Sequence, residues 1–122
     1  MADTLKSNFD ISNGTTAVEL TTVANSATTY QTILSISLCN TSATVDHTFD
    51  IYIKDILGGH DGGGGDTFYY LYMTQSLPAL STFIHNDKLM LQNDEELYMV
   101  LDSNTSPVNS IHVITSFLEQ TA

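Results

Sequence analysis

TFYYLYMTQSLPALSTFIHNDKLMLQNDEELYMVL, residues 67–101, holds six of the eleven aromatic side chains and seven of the thirteen leucines of the chain and reads as four strands in a row. Phe68, Tyr70 and Tyr72 fall on one parity and Tyr69, Leu71 and Met73 on the other. The first run is thus apolar on both faces, the pattern of a strand covered on both sides, and is expected at the centre of a sheet. Pro78 then bends the chain, because its ring fixes φ, removes a backbone donor and steers Leu77 away from helical geometry. A second strand follows over Leu80 to His85, and the turn-prone pair Asn86-Asp87 precedes the short apolar run Lys88 to Leu91. After the turn Gln92-Asn93-Asp94, Leu97, Met99 and Leu101 share one parity, the period-2 signature of a half-buried strand.

Working outward, Ala17 to Val23 alternates as an edge strand, and Thr28 to Cys39 alternates except at the doublet Ile33-Leu34, which predicts a β-bulge. Phe49, Ile51 and Ile53 alternate with Asp50, Tyr52 and Lys54, and near the C-terminus Ile111, Val113, Thr115 and Phe117 alternate with His112, Ile114, Ser116 and Leu118. No window carries a 3.6-residue apolar stripe. The expectation is an all-β chain of about eight antiparallel strands in a β-sandwich, either a jelly roll or an immunoglobulin-like Greek key. Residues 1–14, with Leu5, Phe9 and Ile11 scattered among polar neighbours, read as an N-terminal arm that is either floppy or ordered by docking on a neighbour. Residues 15–122 form a single domain, a size that buries a core without covalent staples.

Fourteen acidic residues against three lysines give a formal charge of -11. Such a chain repels a phosphate backbone, so no nucleic-acid partner is expected. Cys39 is the single cysteine, which excludes an internal disulfide and reads as strand packing. The N-terminus lacks a charged segment leading into an apolar one, and no apolar run reaches membrane-spanning length, so a soluble protein with no membrane partner and no export signal is expected.

The loop from Leu57 to Asp66 contains six glycines. Within it His60, Asp61 and Asp66 are the candidate metal ligands, but their spacing matches no ordered calcium loop and a solvated loop is the plainer reading. The four histidines show no paired-ligand spacing, and no catalytic triad can be assembled. Asp94-Glu95-Glu96 sits at a turn and reads as solvated rather than as a glycosidase pair. Tyr69, Tyr70, Tyr72 and Tyr98 offer rings for stacking a sugar, against the plainer reading of core and subunit contacts. Neither an enzyme nor a cofactor is expected.

The ordered pattern ILSISLCNTSATVDHTFDIYI, a Gly-rich loop, the stretch from Phe68 to Leu101 and a closing IHVITSFLE resembles small virion-surface proteins of tailed bacteriophages, marine ones especially. The carrying features are the turn Cys39 to Ser42, the pair Tyr69-Tyr70, the strand that Pro78 initiates, and Leu89 to Asp94. The sequence departs from that pattern at Leu80, where the usual turn is Pro-Ala-Gly. The resemblance implies a structural protein on the capsid surface, assembled in the host cytoplasm. Specifically, it implies a decoration or cement protein, trimeric, whose partner is the major capsid protein, with a tail, neck or baseplate attachment protein as the alternative. A carbohydrate-binding β-sandwich module is the alternative from another class. Leu5, Phe9, Ile11, Tyr69 and Tyr72 are the residues expected at capsid or subunit contacts.

Overall fold

The computed structural model describes residues 2–12, 14–23, 28–56, 66–101 and 110–121. Among these residues there are nine strands: β1 (Ala2–Ile11), β2 (Val18–Val23), β3 (Thr29–Asn40), β4 (His47–Asp55), β5 (Thr67–Leu77), β6 (Thr82–His85), β7 (Leu89–Leu91), β8 (Glu95–Leu101) and β9 (Ile111–Thr121). They build two antiparallel sheets. The first has the order β1-β9-β3-β6, with β7 also paired to β3, and the second has the order β2-β8-β4-β5.

The pairings nest. β1 pairs with β9, β2 with β8, β3 with both β6 and β7, and β4 with β5. β6 and β7 occupy successive stretches of the same edge of β3, so together they act as one interrupted strand. The chain is therefore one long antiparallel hairpin, rolled up so that β3 also meets β9 and β4 also meets β8. That is the jelly-roll form of the β-sandwich, and it decides between the two topologies the sequence allowed.

The core lies between the sheets. Ile36, Leu38, Ile111, Val113 and Phe117 from the first sheet face Phe49, Ile51, Leu97, Met99 and Leu101 from the second, with Leu20, Leu77 and Leu91 filling the ends. Each such side chain contributes about 1.5–3 kcal/mol by leaving water. The alternation read in β4, β8 and β9 is the alternation that buries them. The bulge expected at Ile33-Leu34 is present as a register shift between Ile33 and Ser35 against β9. It is what turns both Ile33 and Ile36 inward, although they differ in parity.

Three expectations are corrected. Ala2–Ile11 is not an arm: it is a strand paired with β9 over its whole length, so it is ordered by its own chain. β5 is not a central strand but the edge of the second sheet. The strand expected from Leu80 begins at Thr82, because Leu80 has φ 57° and closes a turn in which Ser81 N–H donates to the Pro78 carbonyl at 3.1 Å. That is the left-handed geometry for which glycine is the unstrained residue.

Candidate functional site

Directly opposed residues of an antiparallel ladder share a face, so the registers define what the first sheet shows to the outside. β1 and β9 present Leu5 opposite Leu118, Ser7 opposite Ser116, Phe9 opposite Ile114 and Ile11 opposite His112. β3 continues the face with Thr32, Ser37 and Cys39, and β6 and β7 add Thr82, Ile84 and Met90. Leu5 and Phe9 are 71% and 74% exposed, and Ile11, Ile84, Met90 and Ile114 are exposed as well. No Asp, Glu or Lys stands among these positions; the row reaches a charge only beyond Leu5, at Asp3 opposite Gln120. In a chain of charge -11, this stretch of sheet is uncharged and gathers exposed aliphatic side chains. A hollow of about 290 Å³ opens on it between Phe9, Ile11, His112 and Ile114. Cys39, expected in packing, is half-buried here as a free thiol.

The interior side of β1 is polar. Lys6 pairs with Glu119 of β9 at 2.5 Å, and Asn8 donates to the Leu20 carbonyl of β2 at 2.8 Å. Glu119 also accepts from Gln31 at 3.1 Å, and Gln31 accepts from the Thr21 hydroxyl at 2.8 Å. These groups line a cleft of about 440 Å³ where the sandwich opens between β1 and β2. The hydrogen bonds from Lys6 and then Gln31 hold the Glu119 carboxyl below the usual carboxylate range. Burial pushes the Asp10 carboxyl, in the same cleft, upward.

The outer face of the second sheet differs in kind. Reading across β2, β8, β4 and β5, one row is Glu19, Tyr98, Tyr52 and Tyr70. The next row is Thr22, Glu96, Lys54 and Phe68. Tyr52 stacks on Tyr98 with centroids 5.5 Å apart and meets both Phe68 and Tyr70 at 5.3 Å. Lys54 Nζ lies 5.9 Å from the Tyr98 ring centre and 3.4 Å from Asp66. The Tyr98 hydroxyl donates to Glu96 at 3.2 Å and Glu19 at 3.4 Å. Burial, and then these two carboxylates, raise its pKa far above that of a free phenol, so it remains a neutral donor.

The expected site residues therefore separate. Leu5, Phe9 and Ile11 come together on the uncharged face. Tyr69 is exposed along the β5 edge, opposite Ile53. Tyr72 is engaged inside the chain: its hydroxyl bonds His85 Nδ1 at 2.7 Å, and its ring meets Phe83 at 4.9 Å and Phe49 at 6.4 Å. Of the four tyrosines read as a possible sugar platform, Tyr70 and Tyr98 share a surface, whereas Tyr69 and Tyr72 do not belong to it. Tyr52 and Phe68 were missed, although the outward parity of Tyr52 on β4 was legible. His60 and Asp61 lie outside the described residues, and Asp66 is paired with Lys54. Among the described residues no group of three or more His, Cys, Asp or Glu side chains is placed to hold a metal ion. Glu95, expected in a solvated turn, is buried and accepts from the Gln92 N–H at 2.7 Å.

No protein-family model and no curated protein sequence matches the chain. Several solved structures resemble it. One is a chain of infectious bursal disease virus, Gx strain, at 13% identity and TM-score 0.50, over 98% of this chain and 30% of that one. Another is the N-terminal CBM22-1 and GH10 modules of a Clostridium thermocellum endo-1,4-beta-D-xylanase complexed with xylohexaose, at 10% identity and TM-score 0.44, over 79% of this chain and 17% of that one. A third is the CBM22-1 xylan-binding domain from Paenibacillus barcinonensis, at 9% identity and TM-score 0.48, over 98% of this chain and 85% of that one. The chain thus spans less than a third of the length of the first two. At such identities the likeness is one of fold alone, a β-sandwich.

Proposed function

We propose that the chain is a structural, non-enzymatic component of a tailed-bacteriophage virion: a capsid decoration protein that seats the outer face of its first sheet on the major capsid protein. The observation that carries this reading is the uncharged face built from Leu5, Phe9, Ile11, Ile114, Ile84 and Met90 on a chain of charge -11. Removing this face from water rewards association, while the charge elsewhere keeps decorated particles dispersed. Binding to the assembled shell and not to free subunits stabilises the shell by mass action. The protein acts as a trimer, with Tyr69 on the open edge of β5 meeting neighbouring copies.

The test is binding of the purified protein to shells assembled without it, followed by location of its density in the particle. Saturation at hundreds of copies, roughly the number a closed symmetric shell offers, with loss of binding in a Leu5→Ser/Phe9→Ser variant, is the expected result. About a dozen copies at a tail vertex would assign the protein to the tail, neck or baseplate instead.

A further inference from the structure

We propose that the outer face of the second sheet is a binding site for a neutral polysaccharide, with Phe68 and Tyr70 as its stacking residues. This face lies across the sandwich from the uncharged one, so it does not compete with docking and its role stands independently of the capsid reading.

The case rests on what surrounds the rings. Phe68 and Tyr70 are 51% and 46% exposed at the β5 edge, and each leans on Tyr52, which is itself stacked on Tyr98. The ring at the edge is thus backed by a second ring, which fixes it before any ligand arrives and lowers the ordering cost of binding. Tyr52 and Tyr98, half-buried and stacked on each other, are the support, and the rings left to meet the C–H side of a pyranose, drawn to the negative π face, are those of Phe68 and Tyr70. Hydrogen-bonding groups alternate with them: Lys54 lies opposite Phe68, Glu96 lies opposite Lys54, and Glu19 lies opposite Tyr98.

This alternation decides between a sugar and a protein partner. The centre of a protein interface is depleted of charged side chains, because each one buried there is desolvated. A glycan instead carries hydroxyls around its whole rim and takes bonds from carboxylates and an ammonium while its apolar face stacks. The row Glu19, Tyr98, Tyr52, Tyr70 crosses the sheet at right angles to its strands. Phe68 and Tyr70, two residues apart on β5, stand roughly 7 Å apart along the strand, so that more than one linked pyranose ring can be engaged. Glu19, Asp50 and Glu96 on the same face repel sulfated and uronic polymers, so the ligand is neutral.

The experiment is affinity electrophoresis of the full chain in gels containing arabinoxylan, galactomannan, hydroxyethylcellulose or dextran, with alginate as the anionic control. Retardation by at least one neutral polymer and none by alginate is expected. A Phe68→Ala/Tyr70→Ala variant, both positions being exposed, should keep its thermal transition and bind at least tenfold more weakly, whereas Phe9→Ser should bind as the parent does. Absence of retardation by all four neutral polymers, or equal retardation of the double variant, would overturn the proposal. So would a concentration-dependent oligomer, seen by light scattering, that disappears in the double variant but persists in Tyr69→Ala, since the strip would then belong to a second copy of the chain.

Discussion

The side-chain amide of Asn40, at the end of β3, donates to the backbone carbonyl of Leu77, at the end of β5, at 3.0 Å, and so ties one sheet to the other. The same amide donates to the Val45 carbonyl at 2.9 Å, and its oxygen accepts from the Ser42 N–H at 3.0 Å. Asn40 is fully buried, and three backbone groups depend on it. Removing a partner leaves buried donors and acceptors unsatisfied, at about 1–3 kcal/mol for each group. Asn40→Ala should therefore cost roughly 3 kcal/mol or more, read as a lowered midpoint in urea with an unchanged slope. A loss below the value typical of a surface substitution, about 0.5 kcal/mol, would show that these three groups find other partners.

The Cys39 to Ser42 turn that stood out in the sequence is held by this relationship and extended by the Ser42 hydroxyl, which accepts from the Val45 N–H at 3.0 Å. The strands of the core were legible because β4, β8 and β9 keep strict alternation. β5 was misread because it does not. Its register against β4 shifts twice, between Phe49 and Ile51 and again between Ile51 and Tyr52. The β5 side chains that pack on the core consequently fall at Leu71, Tyr72 and Leu77, which no single parity connects. Tyr72 thus turns into the core while Tyr70, of the same parity, faces out. β1 was missed because its inner side carries Lys6, Asn8 and Asp10, the first two satisfied by β9 and β2, and its outer side carries the apolar residues; the polarity of a usual edge strand is reversed.

Leu80 offers a test of local strain. It has φ 57°, is largely exposed, and its N–H donates to the Ser42 carbonyl at 3.0 Å. A residue bearing a Cβ loses roughly 1–2 kcal/mol in the left-handed region, whereas glycine does not. Leu80→Gly should raise stability by about 1 kcal/mol, seen as a higher thermal midpoint, and Leu80→Val, branched at Cβ, should lower it. A lower midpoint for the glycine variant would place the stabilising role in the leucine side chain.

The cleft between β1 and β2 predicts opposing pH dependences. Glu119 is held below the ordinary value of 4.5, so its contribution is present above that value and is lost as pH falls through the lowered one. Asp10 is raised above its ordinary 3.8 by burial, so ionising it opposes folding, and the cost grows as pH rises from 3.8 through the raised value. Glu119→Gln should lower the thermal midpoint at pH 7, with the deficit closing in acid. Asp10→Asn should raise the midpoint at pH 7 and leave it unchanged in acid. Because Lys6 and Glu119 are both partly exposed, the Glu119 effect should also shrink in high salt.

Tyr72 and His85 give a fourth measurement within the fold. The Tyr72 hydroxyl bonds His85 Nδ1 at 2.7 Å, and the rings meet edge to face with centroids 5.6 Å apart. Tyr72→Phe keeps the packing against Phe83 and Phe49 but removes the bond, leaving a buried imidazole nitrogen without its partner. A loss of about 1–2 kcal/mol is expected, recovered in part by adding His85→Leu, because replacing both polar partners by apolar groups approaches neutrality. Additive losses in the double variant would deny that the two residues act as a pair.

Deletion of residues 1–14 is a poor probe of docking, since it removes a strand that hydrogen-bonds to β9 along its length and uncovers the cleft beside Phe117. Point substitutions separate the roles. Leu5→Ser and Phe9→Ser act on side chains that are almost free of the core, so each should shift stability by less than about 0.5 kcal/mol. If the uncharged face is the contact with the shell, the pair together should weaken shell binding at least a hundredfold, roughly the loss of two anchors worth more than 1 kcal/mol each. Phe9→Asp should weaken it further, because the charge is desolvated on contact. Unchanged binding by both variants, with folding intact, would move the contact surface away from the first sheet.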